Sequence, residues 1–160
     1  MNRMLSVLLA AVLLAGCSPG SGQPATQADA VQVRDAWVKA ADEGMTAAFA
    51  QLTNDSAEEV RIASASTPAA ARVELHEVVP DGGGAMQMRQ KQGGFVIPAH
   101  ADIGLTPGAD HLMLMELTAP LQPGTDVEII ATFDDGSTLP ITAQVRDFPG
   151  ADEHYGDAHG

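Results

Sequence analysis

An all-β fold, a Greek-key antiparallel β-sandwich, is what this 160-residue sequence predicts, and three observations predict it. Short apolar runs with strand-like alternation recur from Val31 to Arg146, a spacing that suits sandwiches and barrels rather than alternating strands and helices. Turn-forming residues separate them: Asn54-Asp55-Ser56, Asp81-Gly82-Gly83-Gly84, Gly93-Gly94, Thr106-Pro107-Gly108 and Gln122-Pro123-Gly124. Past the N-terminal leader no stretch of ten or more residues holds a helical period, and prolines at 68, 80, 98, 107, 120, 123 and 140 would interrupt one.

The leader, residues 1–16, carries one cation, Arg3, then an apolar stretch from Met4 to Leu14 that is too short to span a bilayer. It ends in Leu14-Ala15-Gly16-Cys17, which resembles the bacterial lipoprotein signal, in which the cysteine thiol is lipidated and becomes the first mature residue. Several acyl chains on one terminus would hold the protein to the outer face of a membrane, since each buried methylene contributes about 0.8 kcal/mol. Residues 17–29, rich in Gly, Pro, Ser and Gln, read as a flexible linker after lipidated Cys17.

Strands are expected at Val31 to Val38, Met45 to Thr53, Glu59 to Ser66, Arg72 to Val79, Met86 to Gln90, Phe95 to Ile97, His111 to Leu117, Val127 to Phe133 and Leu139 to Arg146. Asp134-Asp135-Gly136-Ser137 between two β-branched runs is a hairpin signal. Alternation nominates Trp37, Phe49, Leu52, Ile62, Val73, Leu75, Phe95, Leu112, Leu114, Leu117, Ile129, Phe133, Ile141 and Val145 as the core. Residues 149–160 lose the apolar period and read as a disordered acidic tail containing His154 and His159.

Cys17 is the only cysteine, so the exported domain has no internal disulfide and must be held by packing. From Cys17 onward the chain is about one domain long, enough to bury a sizeable core. A formal net charge of -13 opposes nucleic-acid binding, which needs a basic face.

The chemistry concentrates in His111-Leu112-Met113-Leu114-Met115, where residues two apart on a strand point to one side. If Leu112 and Leu114 face the core, an imidazole and two thioethers share the other face. His76, in a second strand-like run, and Met86-Gln87-Met88 add matching donors. Thioether sulfur is soft and neutral, and suits copper(I) far better than magnesium, calcium or manganese. Methionine filling gaps between two buried faces is the structural alternative. Blue copper requires a cysteine thiolate, and Cys17 is assigned to lipid. No His-Glu-x-x-His zinc arrangement, Gly-x-Ser-x-Gly elbow or phosphate loop is present. Glu74 and Glu77 beside His76 read as solvated surface, and His100 as a loop residue without a role.

In order along the chain, Asp35-Ala36-Trp37-Val38-Lys39, Ala47-Ala48-Phe49, Arg72-Val73-Glu74-Leu75-His76-Glu77, Met86-Gln87-Met88-Arg89, Ile97-Pro98-Ala99 and His111-Leu112-Met113-Leu114-Met115 resemble the periplasmic copper chaperone PCu(A)C family. The resemblance covers about Val31 to Arg146 and implies a cupredoxin-like sandwich over residues 30–148. It implies one copper(I) ion held by His76, Met88, His111 and Met113, with Met115 packing beside the site. The family pattern places ten residues between the first His and Met and twenty-one before the second His. Here the intervals are eleven and twenty-two. The glycine run at 82–84 can absorb the first extra residue at small cost. Met86 shares a face with Met88 and would serve instead if the register slipped by two.

What the resemblance implies is a lipid-anchored, non-catalytic extracytoplasmic copper(I) chaperone. It would deliver copper to the dinuclear copper centre of a respiratory cytochrome oxidase, together with a thioredoxin-like assembly protein. The alternative is a metal-free β-sandwich lipoprotein that binds another envelope protein. For the tail, two readings stand: a solubilising segment, or a copper(II) site in which Asp152, Glu153 and Asp157 add oxygen donors to His154 and His159.

Overall fold

A computed structural model describes residues 25–150. The leader, Cys17 and the tail histidines His154 and His159 lie outside the described residues.

Ten strands follow a short 3-10 turn at Ala28–Ala30: β1 (Val31–Lys39), β2 (Met45–Asn54), β3 (Val60–Ser66), β4 (Ala70–Pro80), β5 (Met86–Gln90), β6 (Phe95–Ile97), β7 (Asp102–Leu105), β8 (His111–Leu117), β9 (Asp126–Phe133) and β10 (Thr138–Arg146). Nine coincide with expected strands to within two residues. The tenth, β7, is short and interrupted by Gly104, so its sequence carries little alternation; it pairs with the second half of β2. Hydrogen bonding runs β5-β4-β8-β2-β1-β10-β9-β3-β6. One core contains Leu75 of β4, Leu112 and Leu114 of β8, Val38 of β1, Ile129 and Phe133 of β9, Ile62 of β3 and Phe95 of β6. Strands far apart along this order therefore share one interior, which requires the sheet to fold over into a sandwich. All pairs are antiparallel except β1 with β10, which is parallel.

The last residues assigned to the linker are tied to the domain. Gln27 N–H donates to Asp135 at 2.8 Å and Ala28 N–H to the Ser137 hydroxyl at 3.0 Å, so the turn at Ala28–Ala30 docks on the β9–β10 hairpin. In that hairpin Gly136 sits at φ 80°, the left-handed conformation its tight loop requires.

Trp37 departs from its expected place in the core. Register along β1 shifts between Arg34 and Trp37, and Asp35 lies at φ 48°. Before this bulge Val31 and Val33 point inward; after it Ala36 and Val38 do. One extra residue reverses the alternation. Trp37 is thus turned outward, half-buried, with its ring centroid 4.5 Å from that of Phe49, which also lies outside the central cluster. Val73 and Leu117, expected inside, are only partly buried at its margin.

The far end of β2 is closed by Asn54, which is fully buried. Its side-chain amide donates to the carbonyls of Glu58, Ile97 and Pro98 at 2.8, 3.1 and 3.1 Å. Its carbonyl oxygen accepts from Ser56 N–H at 3.0 Å and from the Ser56 hydroxyl at 2.8 Å. One amide therefore joins the ends of β2 and β6 and the loop leading to β3.

Candidate metal centre

Strand β8 is buried on both faces, since His111, Leu112, Met113, Leu114 and Met115 are all inaccessible. Leu112 and Leu114 enter the sandwich core. His111, Met113 and Met115 stand on the opposite face, as alternation predicts, but that face is covered rather than solvated. Antiparallel pairing with β4 sets Arg72 opposite Met115, Glu74 opposite Met113 and His76 opposite His111. Pairing of β4 with β5 sets Val78 opposite Met88. Facing residues project to the same side of a sheet, so His76, His111, Met88 and Met113 share one patch.

The ring centroids of His76 and His111 are 5.5 Å apart, with 65° between the planes. Both rings are buried, at 0% and 1% exposure. Met88, Met113 and Met115 form a separate apolar cluster beside them, closed by Val78. Met86 lies on the same face but is 56% exposed and is not part of that cluster. Packing thus separates Met88 from Met86, which the sequence left as alternatives. The glycine run at 82–84 lies in the turn between β4 and β5. There Asp81 Oδ1 accepts from Gly83 and Ala85 N–H at 2.8 and 2.9 Å, and Gly84 adopts φ 88°.

One nitrogen of each imidazole has a defined hydrogen-bond partner. His111 Nδ1 lies 2.8 Å from the Ala109 carbonyl oxygen, which can only accept, so the proton is on Nδ1 and the neutral ring presents Nε2 as its lone pair. His76 Nε2 lies 2.9 Å from Glu74 Oε2, so in the neutral ring that nitrogen carries the proton and Nδ1 is the donor atom. Both donor nitrogens are buried. Hydrogen bonding of the second nitrogen is the usual way a ligating histidine is oriented and made more basic.

Glu74, which its place beside His76 in the sequence assigns to solvated surface, is instead the hydrogen-bond partner of His76. Its side chain is only 15% exposed, and it is held in turn by Arg72 Nε at 3.0 Å, with Arg72 also paired to Glu116. Burial works against its ionisation, but hydrogen bonds from His76 and Arg72 outweigh this and hold the carboxyl below its ordinary value. The available signal was the two-residue spacing of Glu74 and His76, which places both on one face. An aromatic wall completes the surroundings: Phe49 faces His111 at 6.1 Å, Trp37 stacks on Phe49, and Phe148 packs against Trp37 at 5.2 Å.

Among the described residues no three His, Cys, Asp or Glu side chains converge as a metal site. What shares the face is a pair of imidazoles and a cluster of thioethers. Such a donor set is neutral and soft, and fits a monovalent soft cation rather than a hard divalent one.

Comparison with known proteins identifies the family and the fold. Residues 31–145 match the model of the LpqE-like lipoprotein family. Residues 1–18 match the prokaryotic membrane lipoprotein lipid attachment site, and the protein is a membrane-anchored extracytoplasmic lipoprotein. A protein of Leifsonia xyli subsp. xyli named as a lipoprotein, Lxx21020, is 45% identical over 153 residues, 92% of each chain. The solution structure of Cu(I)-DR1885 from Deinococcus radiodurans superposes with a TM-score of 0.62 at 33% identity, covering 82% of this chain and 89% of that one. The copper-bound PCuAC domain from PmoF2 has the same fold, with a TM-score of 0.62 at 16% identity over 74% of this chain and 94% of that one. On this evidence the chain belongs to the LpqE-like lipoprotein family, built on the fold of the PCuAC domains.

Proposed function

We propose that the protein is a copper(I) carrier on the outer face of the membrane, tethered through lipidated Cys17, and that His76, Met88, His111 and Met113 hold the ion. The observation that carries this reading is the buried His76–His111 pair on one face with Met88 and Met113. The copper-bound state of the structurally similar DR1885 and PmoF2 domains supports it further. His76 would bind through Nδ1 and His111 through Nε2, with Met115 packing beside them.

The ligand types account for a carrier rather than an enzyme. Two imidazoles and two thioethers bring no charge, so one positive charge remains on the bound ion. Glu74, one hydrogen bond beyond His76, supplies a compensating charge. Thioethers need no deprotonation and form no disulfides, so they survive outside the cell where thiolates would be oxidised. Cu(I) then leaves by ligand exchange, one bond forming as another breaks. The acceptor in this reading is the dinuclear copper centre of a respiratory cytochrome oxidase, reached directly or with a thioredoxin-like assembly protein.

Anaerobic titration of the protein with copper(I) tests the proposal. Uptake saturates near one equivalent, and replacing His111 and Met113 together by alanine abolishes it while the β-sheet spectrum is retained. Absence of uptake by the unmodified protein refutes the carrier and favours a metal-free module that binds an envelope partner. Loss of oxidase activity on deleting the gene, restored by added copper, tests the acceptor.

A further inference from the structure

All five methionines of the described residues lie on one face of the sheet. Met113 and Met115 alternate along β8 with His111, and Met86 and Met88 alternate along β5. Met45 at the start of β2 is the direct register partner of Met115. Among the described residues the only large apolar side chains that are exposed are Met45, at 44%, and Met86, at 56%. Exposed apolar residues are common singly. Here both are thioethers, and they flank the buried cluster of Met88, Met113 and Met115 from opposite sides.

We infer that these five thioethers form a relay through which copper(I) passes between the buried site and the surface, with Met45 and Met86 as its exposed ends. The inference rests on the copper(I) reading above. Facing residues on neighbouring strands have Cβ atoms about 5 Å apart, and same-face residues on one strand lie about 7 Å apart. Met is unbranched with three rotatable bonds, so adjacent sulfurs can meet over one ion. Each step is an associative exchange: an S–Cu bond forms, another breaks, and copper stays monovalent with no proton moved. Met115, buried between Met45 and Met113, is the intermediate station on the β2 side. Met86, two residues from Met88, is the surface end on the β5 side.

The test uses the full-length protein in detergent, loaded anaerobically with one equivalent of copper(I), and follows transfer to the chelator bicinchoninate. Two double variants are compared with wild type, Met45→Leu with Met86→Leu, and Met45→Ala with Met86→Ala. The expected result is that both variants keep copper(I) affinity within about threefold of wild type yet transfer more slowly by more than about threefold. The small chelator has no protein surface to recognise, so leucine does not act through a lost docking contact. Alanine opens access, so slower transfer in that variant reports the missing sulfur rather than a blocked path. Transfer slowed by less than about threefold in either variant overturns the relay. A loss of affinity beyond about threefold also overturns it, because the sulfur would then be a ligand of the resting site. If wild type takes up no copper(I), the functional reading itself has failed.

Discussion

His76 and His111 face each other as register partners across the β4–β8 ladder, with ring centroids 5.5 Å apart. An imidazole nitrogen sits about 2 Å from a bound metal, which puts each ring centre about 3 Å from the ion. Two rings sharing one ion are then about 5 to 6 Å apart, and the observed separation falls within that span without backbone movement. Pre-positioned ligands lose little entropy on binding, because the two rings are already buried and each is held by a hydrogen bond.

Glu74 orients His76, so Glu74→Ala should lower copper(I) affinity by about 10- to 100-fold, the usual range for losing a hydrogen-bond partner of a ligating histidine. Glu74→Gln keeps an accepting oxygen but removes the charge, and should fall between alanine and wild type. Competition with a calibrated copper(I) chelator measures both. Equal affinities across the three proteins would remove Glu74 from the site.

Asn54 holds three carbonyls and both donors of Ser56 from a fully buried position. Asn54→Ala leaves those carbonyls short of a donor and should cost about 1–3 kcal/mol of folding stability. Urea unfolding monitored by circular dichroism reads the loss, while copper(I) uptake by the folded variant is retained. A variant as stable as wild type would mean that the loop rearranges to satisfy those groups.

Acid should destabilise the domain through carboxylates that hold it together. Asp135 is kept below its ordinary value chiefly by the Gln27 N–H, with help from Ser137, and Asp29 likewise by the Thr26 backbone and hydroxyl. For Glu77 burial works against ionisation, but Arg89 and Lys91 outweigh it and the shift is downward. A depressed carboxyl contributes stability that is complete above its unfolded value, near 4 for these groups, and is lost as pH falls through the folded value. Through these carboxylates the melting temperature should decline steeply below about pH 4. Replacing Asp135 by Asn should remove part of that decline; an unchanged acid profile would exclude its role.

The strands were readable because alternation is local. In β8, Leu112 and Leu114 against His111, Met113 and Met115 assign each side chain to a face without knowledge of its neighbours. The β5 thioethers and the glycine turn before them were legible for the same reason. β7 escaped because four residues containing a glycine carry too little pattern, and its pairing with β2 depends on the second half of that strand being left open by β8.

Trp37 shows where local pattern fails. Its alternation points inward until the bulge at Asp35 adds one residue, and nothing in Arg34-Asp35-Ala36 announces the shift. Glu74 shows the same limit in chemistry: a carboxylate two residues before a histidine is ordinarily solvated, and becomes a partner when the surrounding face is covered.

The amino-acid order was sufficient to specify which side chains carry soft donors, which face of each strand they occupy and that the chain is exported and lipid-anchored. The folded chain alone specified that His76 stands opposite His111 rather than one pair along, that Met88 and not Met86 joins the buried cluster, and that Glu74 closes on His76. Facing is a property of consecutive residues, whereas register between β4, β5 and β8 is selected by the packing of residues distant in the chain. A two-residue slip keeps every side chain on its own face while replacing every cross-strand neighbour.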